Sequence, residues 1–189
     1  WNASPISTAR LCMEIWQKIK NLDWSLVSQP FFQSFWPQRL WVMNQHHQFN
    51  GSSGGFGIGY GAPAAVGAAL AQREHGRIPI NIQPDGDLLY SPGVFWTAAH
   101  HDIPLLSIMH NNRGYHQEVM HVQRMALQRQ RGIDGQAKTG NTFEDPDIDF
   151  ATMAKSMGLW SSGPISEPND LATAIARALD VVKQGEPAL

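Results

Sequence analysis

The chain has 189 residues, 42% of them hydrophobic and 16% charged, with a net charge of −2. That composition belongs to a globular protein with a buried core, and the length suits one domain. It leaves no electrostatic case for nucleic acid, no apolar run long enough for a bilayer, and no internal disulfide, since Cys12 is the single cysteine; a reducing, cytoplasmic setting fits.

Ser4-Pro5 precedes a helix that carries Leu11, Ile15 and Ile19 on one face. Trp24–Ser28 reads as a short apolar strand, and residues 29–50 as a long aromatic connection. Residues 51–61 are glycine-dense, and Pro63 then suits a first helical turn before Ala64–Gln72. Ile78–Gln83 is the next strand. Ser91-Pro92 supplies a cap and first position for a helix to about His101, and Leu105–Met109 is a strand. Tyr115–Arg131 reads as a helix, 132–141 as a polar loop, and Asp147–Met157 as a helix closed by Gly158. Leu159–Ile165 reads as a strand, and Asn169–Lys183 as an amphipathic helix with Leu171, Ile175, Leu179 and Val182, closed by Gly185. Strands alternate with helices, which predicts an α/β fold: a mostly parallel central sheet flanked by helices, Rossmann-like, with residues 1–189 as a single domain. The chain begins at Trp1, and Glu186-Pro-Ala-Leu189 looks like entry into another strand, so it reads as part of a longer polypeptide. Trp24, Trp36, Trp41 and Trp96 are read as core or interface anchors.

Two strands end in polar turns, Pro84-Asp85-Gly86-Asp87 and His110-Asn111-Asn112. Ligands of open α/β sheets bind beyond the carboxyl ends of the strands, so Asp85 and Asn112 are delivered to one edge. Carboxylate and carboxamide oxygens suit magnesium, which keeps part of its shell for substrate phosphates. Gly86 allows close backbone approach to an anion, and the helix after Ser91 can aim its N-terminus at the same edge. Asp-Gly and Asn-Asn are also ordinary turn dipeptides, so the placement on successive strands carries the signal.

The segment Gly57-Ile-Gly-Tyr-Gly-Ala-Pro-Ala-Ala-Val-Gly67 satisfies the dinucleotide pattern G-x-G-x-x-A from Gly59 to Ala64. That pattern should follow a strand directly, whereas Gln45-His-His-Gln-Phe-Asn50 is a poor strand. A glycine loop with a purely structural role is a third reading.

Residues 87–110, 24 in all, separate Gly86 from Asn111. With this gap and the glycine segment upstream, the chain resembles the diphosphate-binding domain of thiamine diphosphate enzymes, in the acetolactate synthase and pyruvate decarboxylase branch. The resemblance runs from about Trp24 to Ala188 and implies Mg2+ held by Asp85 and Asn112 side chains and the Gly114 carbonyl. It implies that Gly86, Asp87 and Tyr115 line the diphosphate, with Ser28 at a strand end touching it. The Phe56 carbonyl, Gly57 and the Ile58 amide would meet the pyrimidine, and the Ile58 side chain would wedge between the cofactor's rings. Two residues depart from the family pattern. Pro84 stands where glycine is usual and lacks an amide donor. Asp87 adds a carboxylate beside an anion, so its side chain should turn away and leave a backbone contact.

The resemblance also implies roles in the chemistry. Glu118, six beyond Asn112, matches a glutamate that faces the reacting carbon in keto-acid decarboxylases; its plain alternative is a solvent-facing helical side chain. His116, and His47 of the His46-His47 pair, are candidates for proton transfer or for orienting a substrate carboxylate, against surface and loop histidines. His116 and His121 are a weak zinc pair, five apart with no second cysteine. Arg124, Arg129 and Arg131 form either a solvated basic face or a helix that orders with a partner. The activating glutamate would come from a companion pyrimidine-binding domain or subunit, in a homodimer or tetramer, without which this chain is inactive. The expected function is acetolactate synthase-like chemistry, as a transferase or lyase acting on a 2-keto acid, with simple decarboxylation as runner-up. A non-catalytic partner domain and an NAD- or flavin-binding dehydrogenase domain are the readings from other classes.

Overall fold

The computed structural model describes residues 1–28, 35–51, 54–55 and 57–189. Helix α1 spans Thr8–Ile19 and is capped by Ser7, whose side chain accepts the Arg10 amide; the cap therefore lies three residues beyond Ser4. Its apolar spacing turns Leu11, Ile15 and Ile19 inward, and all three are buried.

The sheet has three parallel strands in the order β1 (Trp24–Ser28), β2 (Ile78–Pro84) and β3 (Leu106–His110). Alternation along the strands sends Leu26, Ile80, Ile82 and Leu106 to one face, where they pack with α1 and with α8 (Leu171–Lys183). Val27 and Leu105 pack on the other face with α3 (Gly61–Arg73) and α5 (Val94–His100). Covered on both faces, the sheet has the doubly wound α/β architecture that the alternation of elements predicts.

Both edges are extended by isolated bridges. Phe49 pairs in parallel with Leu26, and Ala188 pairs with both Leu106 and Trp160. The Ser107 amide donates to Ala188 O at 2.8 Å, so the C-terminal residues do add to the sheet. Leu159–Ile165 is not a strand: only Trp160 bridges, because Gly163-Pro164 cannot continue a ladder.

Two further helices lie where no period signals them. They are α2 (Trp36–Leu40) within the aromatic connection and α4 (Asp85–Leu88) directly after β2. The helix expected from Ser91 begins at Val94, and the one expected from Asp147 is α7 (Phe150–Ser156), capped by Asp149. Between them lies α6 (His116–Gln128), where Val119 is the buried position. Trp24 and Trp41 are core residues and meet edge to face at 5.4 Å; the Trp41 Nε1 donates to Cys12 O at 2.8 Å. Trp96 is exposed and stacks on His100. Among the described residues no helix is long and apolar enough to cross a membrane.

Candidate functional site

The site forms where β2 and β3 end side by side, with Pro84 paired to His110. Pro84 is the last residue of β2 and precedes α4, a position at which its missing amide does little harm. Asp85 is buried just beyond it. Its Oδ1 accepts the Gly86 amide at 2.8 Å and its Oδ2 accepts the Arg113 amide. Arg113 reaches that position with a left-handed φ of 61°. One terminal atom of the Asn112 carboxamide lies 3.0 Å from Gly114 O and 3.0 and 3.2 Å from the two Asp85 oxygens. As nitrogen, that atom donates to all three. Turned over, the carboxamide would present its oxygen at the same point, beside the Asp85 carboxylate and Gly114 O. One carboxylate, one carboxamide and one backbone carbonyl make a donor set for a hard cation. Burial raises the Asp85 carboxyl above its ordinary pKa, and the amides of Gly86, Arg113 and Gly114 oppose this.

The carbonyl of Gly114 sits in a pinned loop. The Tyr115 amide donates to Asn141 O and the Phe143 amide to Arg113 O, both at 2.9 Å. A β-carbon on Gly114 would meet Asn141 O at 2.5 Å, so this close approach requires glycine. Gly86 is equally constrained, because a β-carbon there would run into the Tyr115 ring. The Tyr115 hydroxyl donates to Gly86 O at 3.1 Å, and its ring meets Phe143 edge to face. Burial, then the hydrogen bond with Tyr90, push the Tyr115 phenol up to about 12.

Asp87 does turn away from this loop, and its destination is specific. Its Oδ1 accepts the Gly59 amide at 2.7 Å; its Oδ2 accepts the Gly61 amide at 3.0 Å and Gln83 Nε2 at 2.8 Å. The amides of Gly59 and Gly61 are thereby fastened to the turn after β2. Gly59 has φ 90°, and Tyr90 Cβ lies 2.8 Å from where its β-carbon would stand. These bonds also weigh against the dinucleotide reading, since the amides that would face a pyrophosphate are occupied by a carboxylate. Ile58, 39% exposed, directly precedes the anchored Gly59, beside the exposed Gly57. Phe56 lies outside the described residues. The Ser28 backbone ends β1 at this same edge, in register with Asn81 across an irregularity.

The chemistry candidates divide. The His116 Nε2 hydrogen-bonds Asn112 O at 2.8 Å, which sets this ring against the loop after β3. Glu118 is exposed in the first turn of α6, on an open groove with Gln117, His121, Arg124 and Asn141. The structure does not bring His47 to this edge. Its Nε2 lies 3.0 Å from Asp23 Oδ1, and its carbonyl accepts the Ser25 hydroxyl. Asp23 precedes β1, so His47 belongs to the amino edge of the sheet, a strand's length from Asp85. At about 3.3 Å per residue, the strand keeps the two edges apart. The Cys12 thiol is no nucleophile either, for burial pushes it up to about 12.

Asn81, Gln83 and Ser107 were missed by the motifs. All three are buried, and the Asn81 amide donates to Gln83 Oε1 at 3.1 Å and Ser107 Oγ at 2.9 Å. The alternation Ile80-Asn81-Ile82-Gln83 was the available signal. Polar residues at every second position of a strand covered on both faces must find buried partners.

A family model described as "Thiamine pyrophosphate enzyme, C-terminal TPP binding domain" matches residues 33–189. The chain is 32% identical over 107 residues to a Mycobacterium tuberculosis protein named putative acetolactate synthase large subunit IlvX, covering 56% of this chain and 20% of that protein. It is 38% identical over 82 residues to benzoylformate decarboxylase of Pseudomonas aeruginosa, covering 43% of this chain and 15% of that protein. A solved thiamine diphosphate-dependent 4-hydroxybenzoylformate decarboxylase of Rhodococcus jostii RHA1 matches with TM-score 0.77 and 25% identity, over 99% of this chain and 32% of that one. A benzoylformate decarboxylase from Polynucleobacter necessarius shares the fold at TM-score 0.77 and 19% identity, over 98% of this chain and 32% of that one. The chain thus spans about a third or less of each relative's length.

Proposed function

The chain belongs to the thiamine pyrophosphate enzymes, as their C-terminal cofactor-binding domain, and we propose that it anchors the cofactor's diphosphate through Mg2+ held by Asp85, Asn112 and the Gly114 carbonyl. The observation that carries this reading is the meeting of the Asn112 carboxamide with the Asp85 carboxylate and Gly114 O at 3.0–3.2 Å. Gly86 makes room for the Tyr115 ring that walls the loop, and Asp87 takes its charge out of the anion's way. Ile58 offers an apolar surface to the cofactor's ring end. When bound, thiamine diphosphate supplies the carbon nucleophile that a 2-keto acid needs in order to lose carbon dioxide.

The parent enzyme is proposed to act on a 2-keto acid. Carboligation, suggested by the relative named as an acetolactate synthase subunit, and simple decarboxylation, suggested by the named decarboxylases, share the loss of carbon dioxide. Glu118 is assigned proton transfer at the reacting carbon. For His116, the donor bond to Asn112 O leaves Nδ1 as the acceptor of the neutral ring. A companion pyrimidine-binding domain or subunit, in a dimer or tetramer, would contribute the activating glutamate.

Calorimetric titration of the full-length enzyme tests the anchor. Thiamine diphosphate should bind with Mg2+ and bind weakly without it, and Asp85→Ala should remove the difference. Unchanged affinity in Asp85→Ala would sink the metal assignment. Pyruvate and benzoylformate then test the reaction, and no carbon dioxide from either would leave only the binding role.

A further inference from the structure

We propose that Asp87 is a positioning residue: its carboxylate locks the glycine-rich segment to the metal loop, so that the seat for the cofactor's ring end is set from the loop that holds its diphosphate. The inference rests on the cofactor reading above. Asp87 is 3% exposed, and both of its oxygens are committed. Two of its three donors are backbone amides of one short stretch, Gly59 and Gly61, reached across 28 and 26 residues of sequence. Tyr60, at the start of α3, makes no side-chain cap bond, so the helix takes its cap from Asp87 instead. A carboxylate at that end is favoured by the helix dipole and the free amides.

The third donor belongs to a buried polar chain. Ser107 on β3 meets Asn81 on β2, Asn81 meets Gln83, and Gln83 meets Asp87. Such a chain is costly to bury unless each link is made. Here it ends on Gly59 and Gly61, which lie outside the strands. Residues 51–61 include Gly51, Gly54, Gly55, Gly57, Gly59 and Gly61, and glycine loses the most freedom on ordering. With the clamp made, Gly59 and Gly61 are fixed before the ring end arrives; without it, binding must supply that order. The ring end therefore depends on Asp87, whereas the diphosphate, held by Asp85 and Asn112, does not.

Two probes separate the ends: thiamine diphosphate and inorganic pyrophosphate, each titrated with Mg2+ into the full-length enzyme. Asp87→Asn keeps the shape but turns an amide nitrogen toward donors, and Gln83→Met removes the supporting bond while leaving the carboxylate. Asp87→Asn should weaken thiamine diphosphate by about tenfold and pyrophosphate by less than about twofold. Gln83→Met should show the same split at a few-fold, and it carries the test if Asp87→Asn fails to fold. Equal loss for both probes, or loss for neither, overturns the proposal. Asp85→Ala serves as the control: if it leaves pyrophosphate binding intact, the metal reading fails instead.

Discussion

Gly86 and Tyr115 show how little freedom the site leaves at the level of single residues. The space that a β-carbon would need at Gly86 is filled by the Tyr115 ring. Gly86→Ala should cost about 1–3 kcal/mol by overpacking, read as a lower Tm. Combined with Tyr115→Ala, it should cost less than the sum of the single changes by about 1 kcal/mol, because the obstacle has gone. The raised Tyr115 phenol makes a second prediction. The fold favours its neutral form, so its contribution is complete below the ordinary value of 10.0 and is lost as pH rises through about 12. In an ultraviolet phenolate titration, Tyr115 should ionise late, and Tyr115→Phe should remove that step. Asp85 and Asn112 were legible at one sheet edge because each closes a strand, Gly114 came from the family resemblance, and the structure brings the three together. The partners of Asp87 were not, since two of them are backbone amides more than 25 residues away, without any side chain to read.

The elements were legible in proportion to their period. α1 and α8 each present one apolar face to one side of the sheet, and a period of that kind survives without knowledge of the neighbours. α2 has no period, and the four residues of α4 read as a turn. The short α7 depends on its cap: Asp149 accepts from the Thr152 hydroxyl and amide, and these bonds hold its carboxyl below the ordinary 3.8. A lowered folded value means the contribution is present above 3.8 and is lost as pH falls below it. The difference in Tm between the native chain and Asp149→Ala should therefore hold near neutrality and shrink in acid. His47 marks the reverse case. Its closeness in sequence to the glycine segment suggested a shared site, but the intervening residues climb beside β1 through Phe49, and this carries the two to opposite edges.

Across the whole molecule, α6 is the part least accounted for by this chain. Val119 is its buried position, while Met120 and Leu127 are 61% and 56% exposed. Helix faces of this kind are covered in larger assemblies, and the relatives are about three times as long. Leu127→Glu should leave the stability of the 189-residue chain within about 0.5 kcal/mol of the native value, as surface changes do. In the full-length enzyme it should lower the concentration-dependent association seen by sedimentation; equal association would detach α6 from any interface. By itself the sequence determined the α/β class, the two periodic helices, the two polar strand ends and the cofactor family, because hydrophobic period and motif spacing are local properties of a chain. Only the tertiary structure decided that Asn81 and Gln83 are buried, that Asp87 holds the glycine segment, and that His47 stands at the far edge. Each depends on which face of the sheet is covered and which strand end lies near which loop. Those are facts about neighbours in space, and neighbours in space are what folding supplies.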